Sequence, residues 1–449
     1  MRSAKKKRLQ ATWIGLRSSL WFVPALIVLS MVALAVGLVE VDLRLPKHAL
    51  SGLALLFGAS ADGTREMLSA IGSAMITLAG VVFSITIVAL SFTSSQYTSR
   101  VLRNFMRDRS NQVVLGAFVG IYAYCLVVLR TIRGGDTAPF VPSVATLVAM
   151  ILAFVGIALL IHFIHHICSA IQATQILTAI REETSRTVDR LFPDELGETE
   201  EEDDDDPASA QAERAAAWET VAATKSGYLA SFDGEALVAL ACELDAVVRV
   251  RIRVGEFVTA GAPLVSVAGN SELCEDAKSR IGEAFTIGNQ RTAEQDPAFG
   301  IRQIVDIALK ALSPGVNDPT TATMCLDHLG VLLVRLTRCK FPPRLRRFGG
   351  KLRLIAEELT FEWLLGLAIE EIRIAAANQS TVLDRLLTVL RLVAARTASA
   401  SRLRSVAEHV SRVASSASKI QDAFARADVT RQAAAAMEDR HPPVHSNTR

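Results

Sequence analysis

Ile71–Phe92 reads IGSAMITLAGVVFSITIVALSF, 22 residues without a single Asp, Glu, Lys or Arg. A helix rises about 1.5 Å per residue, so this run matches the ~30 Å hydrocarbon core of a bilayer. Three more runs of the same kind surround it: Leu20–Val39, Val113–Leu129 and Val144–Ile164. Nothing comparable follows in the rest of the 449 residues. The expected fold is therefore mainly α: a transmembrane domain of four helices (20–39, 71–92, 113–129, 144–164), then a large water-soluble α+β region. The first run has a basic flank, and Ala33-Leu34-Ala35 resembles a signal-peptide cleavage site. The apolar stretch nevertheless continues to Val39, which favours an uncleaved helix.

Charge orients these spans. The net charge of +2 points to no partner, but its distribution is uneven. Arg2, Lys5, Lys6, Lys7, Arg8 and Arg17 precede the first span, and Arg100, Arg103, Arg107 and Arg109 follow the second. The other two loops are poorer, with Arg44, Lys47 and Arg65 in one and Arg130 and Arg133 in the other. The positive-inside rule puts the N-terminus, the second loop and the C-terminal half in the cytoplasm. An even number of spans agrees. Six scattered cysteines contain no C-x-x-C pair, which excludes a disulfide framework or zinc ribbon and suits a reducing compartment.

Composition then divides the chain. Residues 1–192 form the membrane domain, including an amphipathic helix extension over Cys168–Leu191 that Pro193 ends. Leu50–Phe57, in the first loop, is apolar but too short to span and reads as an interfacial or re-entrant piece. Residues 193–217 are an acidic linker, with eight acids in the nine positions Glu198–Asp206. Residues 218–270 change to short β-prone runs broken by Gly227, Gly234, Gly255 and Gly261, a small β-barrel or sandwich. Residues 271–427 return to helical periodicity, as in Leu364, Leu365, Ala368, Ile369 and Ile372. Residues 428–449 are a polar tail expected to be disordered.

Several features are candidates for chemistry. On the second span Ser73, Thr77, Gly80, Ser84, Ser91 and Ser95 fall on one helical line. Small, weakly polar side chains there suit either close helix packing or a water-filled path. His162, His165 and His166 share a face at the end of the fourth span, a spacing suited to metal binding or pH sensing, or simply to facing headgroups or a neighbouring helix. No carboxylate completes a site beside them, so no metal is assigned. Residues 335–353 hold eight cations and no acid. Arg344, Arg346, Arg347 and Lys351 in this loop are candidates for contact with anionic lipid or the acidic linker, and a plain solvated loop is the competing reading. Nucleic acid is not an expected partner, because no recognised nucleic-acid fold accompanies these cations.

The densest polar cluster is 291–321. Asp318-Pro319 reads as an Ncap–N1 pair after the Pro314-Gly315 turn. The backbone N–H groups of Thr320 and Thr321 would then face an anion, with Arg291 and Arg302 adding charge. Arg291, Asp296, Arg302, Asn317, Asp318, Thr320 and Thr321 are the candidate ligand-binding residues, and a structural cap-and-turn is the competing reading. The ligand itself is unknown. No catalytic constellation, P-loop or Gly-x-Gly-x-x-Gly fingerprint is present.

Two resemblances add to this. Gly255-Glu256-Phe257-Val258-x-x-Gly261-x-Pro263-Leu264 resembles half of a biotinyl/lipoyl-type barrel-sandwich, with Val258 and Leu264 packed inward. The lysine hairpin that carries the cofactor in such proteins has no match here, so no cofactor is expected. Over about residues 15–400 the chain resembles a bacterial family of predicted membrane proteins with a domain of unknown function. The resemblance rests on Ser94-Ser95-Gln96-Tyr97, Arg100-Val101-Leu102-Arg103, Leu115-Gly116, Tyr124, Phe163-Ile164-His165-His166-Ile167 and Ala311-Leu312-Ser313-Pro314-Gly315-Val316-Asn317-Asp318-Pro319. Thr98-Ser99 departs from the Ser-Pro expected before the arginine. The resemblance implies four spans, a cytosolic domain and the bacterial inner membrane, and brings no catalytic residue. Two functions stay open: an oligomeric channel or transporter regulated by the cytosolic part, and a non-conducting sensor or scaffold for a cytosolic ligand. A membrane-bound enzyme is disfavoured by the missing motifs.

Overall fold

The four apolar runs form helices longer than their apolar cores: α1 Phe22–Arg44, α2 Ala61–Gln96, α3 Arg109–Thr131 and α4 Ser143–Ala170. The computed structural model describes residues 21–44, 61–96, 109–133, 140–170, 172–192, 218–269, 272–291, 296–342, 344–356 and 359–438. The Leu50–Phe57 stretch, the Arg100–Arg103 motif, Pro193, the acidic run and residues 439–449 lie outside these, as does the side chain of Ser95. The chain divides into two units, Met1–Ile176 and Leu177–Arg449.

In the first unit α3 is the most enclosed helix. Its Gly116 and Gly120, one turn apart, let α1 approach closely. A Cβ on Gly116 would lie 2.8 Å from the Pro24 Cα, and one on Gly120 would lie 2.9 Å from the Met31 Cγ. This is the small-x-x-x-small contact that replaces a hydrophobic driving force in lipid. Phe118, Ile121, Tyr124 and Val128 fill the core together with Leu68, Met75, Ala79 and Val82 of α2 and Ala149 and Phe163 of α4. At one end the Asp42 carboxylate of α1 accepts the Val144 and Ala145 N–H groups of α4, each at 3.0 Å. Arg65, near the start of α2, donates to the Ile132 carbonyl just past α3 at 3.1 Å. The end of α1, the start of α2, the end of α3 and the start of α4 therefore share one edge, as an up-down-up-down bundle requires.

The second unit takes most of α5 (Ala173–Leu191) and continues through β1 Trp218–Ala222, β2 Gly227–Phe232, α6 Gly234–Glu243, β3 Val247–Val250, β4 Phe257–Val258, β5 Pro263–Ala268, α7 Glu275–Glu283 and β6 Phe285–Gly288. Next come α8 Pro297–Ala311, α9 Pro319–Leu336, β7 Leu345–Phe348, β8 Lys351–Ala356, α10 Phe361–Ala375, α11 Ser380–Ala394, α12 Ala400–Ser416 and α13 Ala423–Glu438. Residues 168–191 are expected to form one continuous extension of the fourth span. The structure has two helices, α4 ending at Ala170 and α5 starting at Ala173.

The strands form two sheets, ordered β1-β5-β3-β8-β7 and β4-β2-β6, and neither closes into a barrel. Among the described residues the β3–β8 pairing is the only parallel one. Both sheets and the two short helices share one core, in which Leu229, Leu237, Val248, Val250, Val258, Leu264, Ile281 and Leu354 meet. Val258 and Leu264 point inward, as the glycine-spaced pattern indicates. Three strands come from beyond residue 270. β6 completes the small sheet, and the basic segment expected to be a loop supplies the β7–β8 hairpin. Gly349 and Gly350, both at positive φ (59° and 75°), close that hairpin with the two-residue turn that side-chain-bearing residues resist.

The remaining helices stack through Leu326, Leu329 and Leu333 of α9, Leu364 and Leu365 of α10 and Leu383, Leu386 and Leu390 of α11. α13 runs to Glu438, into the segment expected to be tail, because Val429, Ala433 and Ala436 bury one of its faces.

Candidate functional site

The cluster 291–321 is split by a helix. Asp296 caps the N-terminus of α8, accepting the Phe299 N–H at 3.0 Å. The turn holding Asn317 and Asp318 follows its other end. Fifteen residues at ~1.5 Å each separate these ends by roughly 20 Å. The seven candidates therefore fall into separate groups.

The first group is a buried joint. Arg291 Nη2 and Nε lie 2.7 and 3.0 Å from Asp296 Oδ2, and Asp296 is 1% exposed. Burial pushes its carboxyl up, while the Arg291 guanidinium opposes the shift. Gly255, at φ 90°, backs onto this pair so closely that a Cβ there would collide with Asp296 Oδ2. The pair thus locks the start of α8 to the turn between β3 and β4. Arg302 is committed elsewhere, to Asp306 at 2.7 Å and to Glu371 of α10.

The second group is a saturated cap. Asp318 accepts the Thr321 N–H at 3.0 Å and the Thr321 hydroxyl, and these bonds hold its carboxyl below the usual range. Its own N–H donates to the Ala311 carbonyl at 2.8 Å. Asn317 takes the left-handed conformation (φ 48°), and its Oδ1 accepts from Gln379 Nε2 at 3.0 Å. The Thr321 N–H, expected to face an anion, is already satisfied by Asp318. Thr320 contributes its carbonyl to the Thr323 hydroxyl.

The α2 stripe has a different setting. Each stripe residue of three pairs lies two positions past a buried one: Met75 and Thr77, Val82 and Ser84, Ala89 and Ser91. Two positions are about 200° around a helix, so the stripe faces away from the other three helices. Ser73, Thr77, Gly80, Ser84 and Ser91 are exposed, and a Cβ on Gly80 would meet nothing within 4 Å. Thr77 satisfies its hydroxyl on the Ser73 carbonyl at 2.8 Å.

His162 and His166 stack with ring centroids 6.0 Å apart, and His165 is exposed on the same helix. Among the described residues no group of three or more His, Cys, Asp or Glu side chains is arranged to hold a metal. Arg344, Arg347 and Lys351 are exposed on the β7–β8 hairpin and Arg346 is partly covered, with its Nη1 close against Gly234.

One polar network among the described residues has no local sequence signature. His409 Nδ1, on α12, lies 2.8 Å from Glu370 Oε1 on α10. Arg373 pairs with Glu370 at 2.7 Å and donates to the Ser416 hydroxyl at 2.6 Å, and Arg412 reaches Glu370 at 3.2 Å. The partners Glu370 and His409 are 39 positions apart, so no local spacing announces them. The Gly116-x-x-x-Gly120 pattern, by contrast, is visible in the sequence as a close-packing signal.

The family described as predicted membrane protein (DUF2254), a domain of unknown function, matches residues 17–392. Uncharacterized proteins of Mycobacterium bovis and Mycobacterium tuberculosis are 34% identical over 391 residues, 86% of this chain and 74% of theirs. No solved structure matches the chain.

Proposed function

This chain belongs to the DUF2254 family of predicted membrane proteins, and on that premise we propose that it acts in the bacterial inner membrane as a homo-oligomeric channel or transporter. In this reading the α2 faces of neighbouring copies meet around a shared axis, and the C-terminal half regulates passage. The observation that carries it is the direction of the stripe. Five small or hydroxylated residues line the side of α2 that its own bundle leaves uncovered. One back-bonded threonine is tolerable in lipid, but a whole line of such residues is better matched by water or another helix. The uneven loop charges support cytoplasmic termini.

A sensor that reads a ligand at the Asn317–Asp318 turn is the weaker reading, since Asp318 already occupies the Thr321 donor. Among the described residues no catalytic arrangement supports an enzyme.

Cysteine accessibility tests the proposal. In membranes, Ser84→Cys and Ser91→Cys should react with a water-soluble thiol reagent and cross-link between copies. Thr86→Cys, on the covered side, should do neither. Cross-linking without reaction would leave a dry packing interface and remove the path. Equal protection of all three, with no cross-link, would sink both.

A further inference from the structure

We propose that His328 is a proton-operated latch: protonating its imidazole loosens α5 from α9. α5 is the helix through which the chain passes from α4 into the second unit. Within that unit it is clamped along its length. Leu177, Ile180 and Val188 are at most 1% exposed, and Thr184 lies against Gly300 of α8. Asp189 pairs with Arg335 of α9, and the Phe192 ring centroid lies 4.7 Å from that of Phe341 just beyond α9. Two turns before the Asp189–Arg335 pair, Arg181 of α5 acts on His328 of α9. The residue numbers rise together, so the two helices run side by side in parallel.

His328 is the weak point of this seam. Its Nδ1 is buried and has no hydrogen-bond partner among the described residues. A neutral imidazole carries one hydrogen, so it resides on Nε2 and leaves Nδ1 a bare lone pair. Any further proton, taken from solvent, lands on Nδ1. The new N–H meets no acceptor, and the positive ring stands beside Arg181. Its surroundings do not neutralise it. Asp327, next to it on α9, attracts the charge, but Arg385 of α11 already pairs with Asp327. Glu182 of α5 sits 3.5 Å from Arg181, and Asp384 of α11 acts with Asp428 of α13. On α8 and α10, Arg302 is held by Asp306 and Glu371, and Arg373 by Glu370. Burial and Arg181 both hold the imidazole below its ordinary range, so the seam stays uncharged and closed at neutral pH. Space-filling is the simplest role for a histidine here, and it gives α5 no response to acid ahead of the rest of the unit. What an opened seam does to passage rests on the channel reading; the latch itself does not.

Hydrogen–deuterium exchange of the full-length protein in nanodiscs tests it, with rates corrected for the intrinsic effect of pH. Between about pH 7.5 and about pH 5.5 the protection of 177–191 should fall by roughly tenfold or more, while 382–390 of α11 stays protected. His328→Gln, neutral throughout, should remove the fall. Arg181→Gln should shrink it, since less repulsion then opposes the charged ring. Unchanged protection of 177–191 in the unsubstituted protein overturns the proposal. A fall that survives His328→Gln assigns the response to another group, and a fall shared equally by 382–390 is general acid unfolding; either overturns it too. Should His328→Gln not fold, Arg181→Gln decides, and an undiminished fall there overturns the latch. Conduction is not measured, so cysteine accessibility at Ser84 and Ser91 can fail while the latch stands, and the reverse.

Discussion

Asp318 decides between a ligand site and a helix cap, and its chemistry separates the two. Its carboxylate does for α9 what a capping side chain does for any helix: it satisfies a first-turn N–H. Asp318→Ala should lower stability by about 1 kcal/mol, whereas Asp318→Asn and Asp318→Ser should stay within a few tenths. Thermal melts of the purified full-length protein read this directly. An Asn variant as damaging as Ala would show that the charge itself is used, and the capping account would fail. This cap was legible from Asp318-Pro319 alone, because capping acts over three residues. Asp296 was legible only as a member of a polar cluster. Its burial under Gly255 depends on a turn some forty positions away in sequence.

At the level of elements, close approach of helices rests on missing side chains. α5 lies so near α8 that a Cβ on Gly300 would overlap the Thr184 hydroxyl, which itself donates to the Ile180 carbonyl at 2.7 Å. Gly300→Ala should therefore cost about 1–3 kcal/mol, an overpacking penalty. Adding Thr184→Ala should recover most of it. Melting temperatures of the single and double variants check the coupling, and strictly additive losses would remove the contact as the cause. Gly300 stands in the sequence amid charged residues, where it resembles part of a binding cluster. Only the packed pair α5 and α8 shows that it makes room. The basic stretch 335–353 teaches the same lesson. Its charges read as a solvated loop, yet hydrogen bonding to β3 through β8 draws half of it into a sheet.

For the molecule as a whole, the buried network of α10 and α12 makes stability depend on pH. Burial lowers the His409 pKa despite the attraction of Glu370, and burial beside Arg181 lowers that of His328. Each folded pKa then lies below the unfolded value of about 6.5, so the unfolded chain binds more protons in between. Stability is complete above about pH 6.5 and falls as the pH drops through the folded values. The melting temperature should decline on acidification in that window, and His328→Gln/His409→Gln should flatten the decline. An unchanged slope in the double variant would place the titration elsewhere. The sequence by itself determined what acts locally: the four membrane-length apolar helices, their alternating ends, the caps and the glycine-spaced strands. Hydrophobic length, capping and turn geometry all operate within a few residues or one helix. The tertiary structure alone decided which side of α2 its own bundle leaves open, how α8 separates the 291–321 cluster, and which histidine meets Glu370. Those outcomes depend on which distant surfaces pack together, and burial, unlike helix length, is a property of the assembled chain.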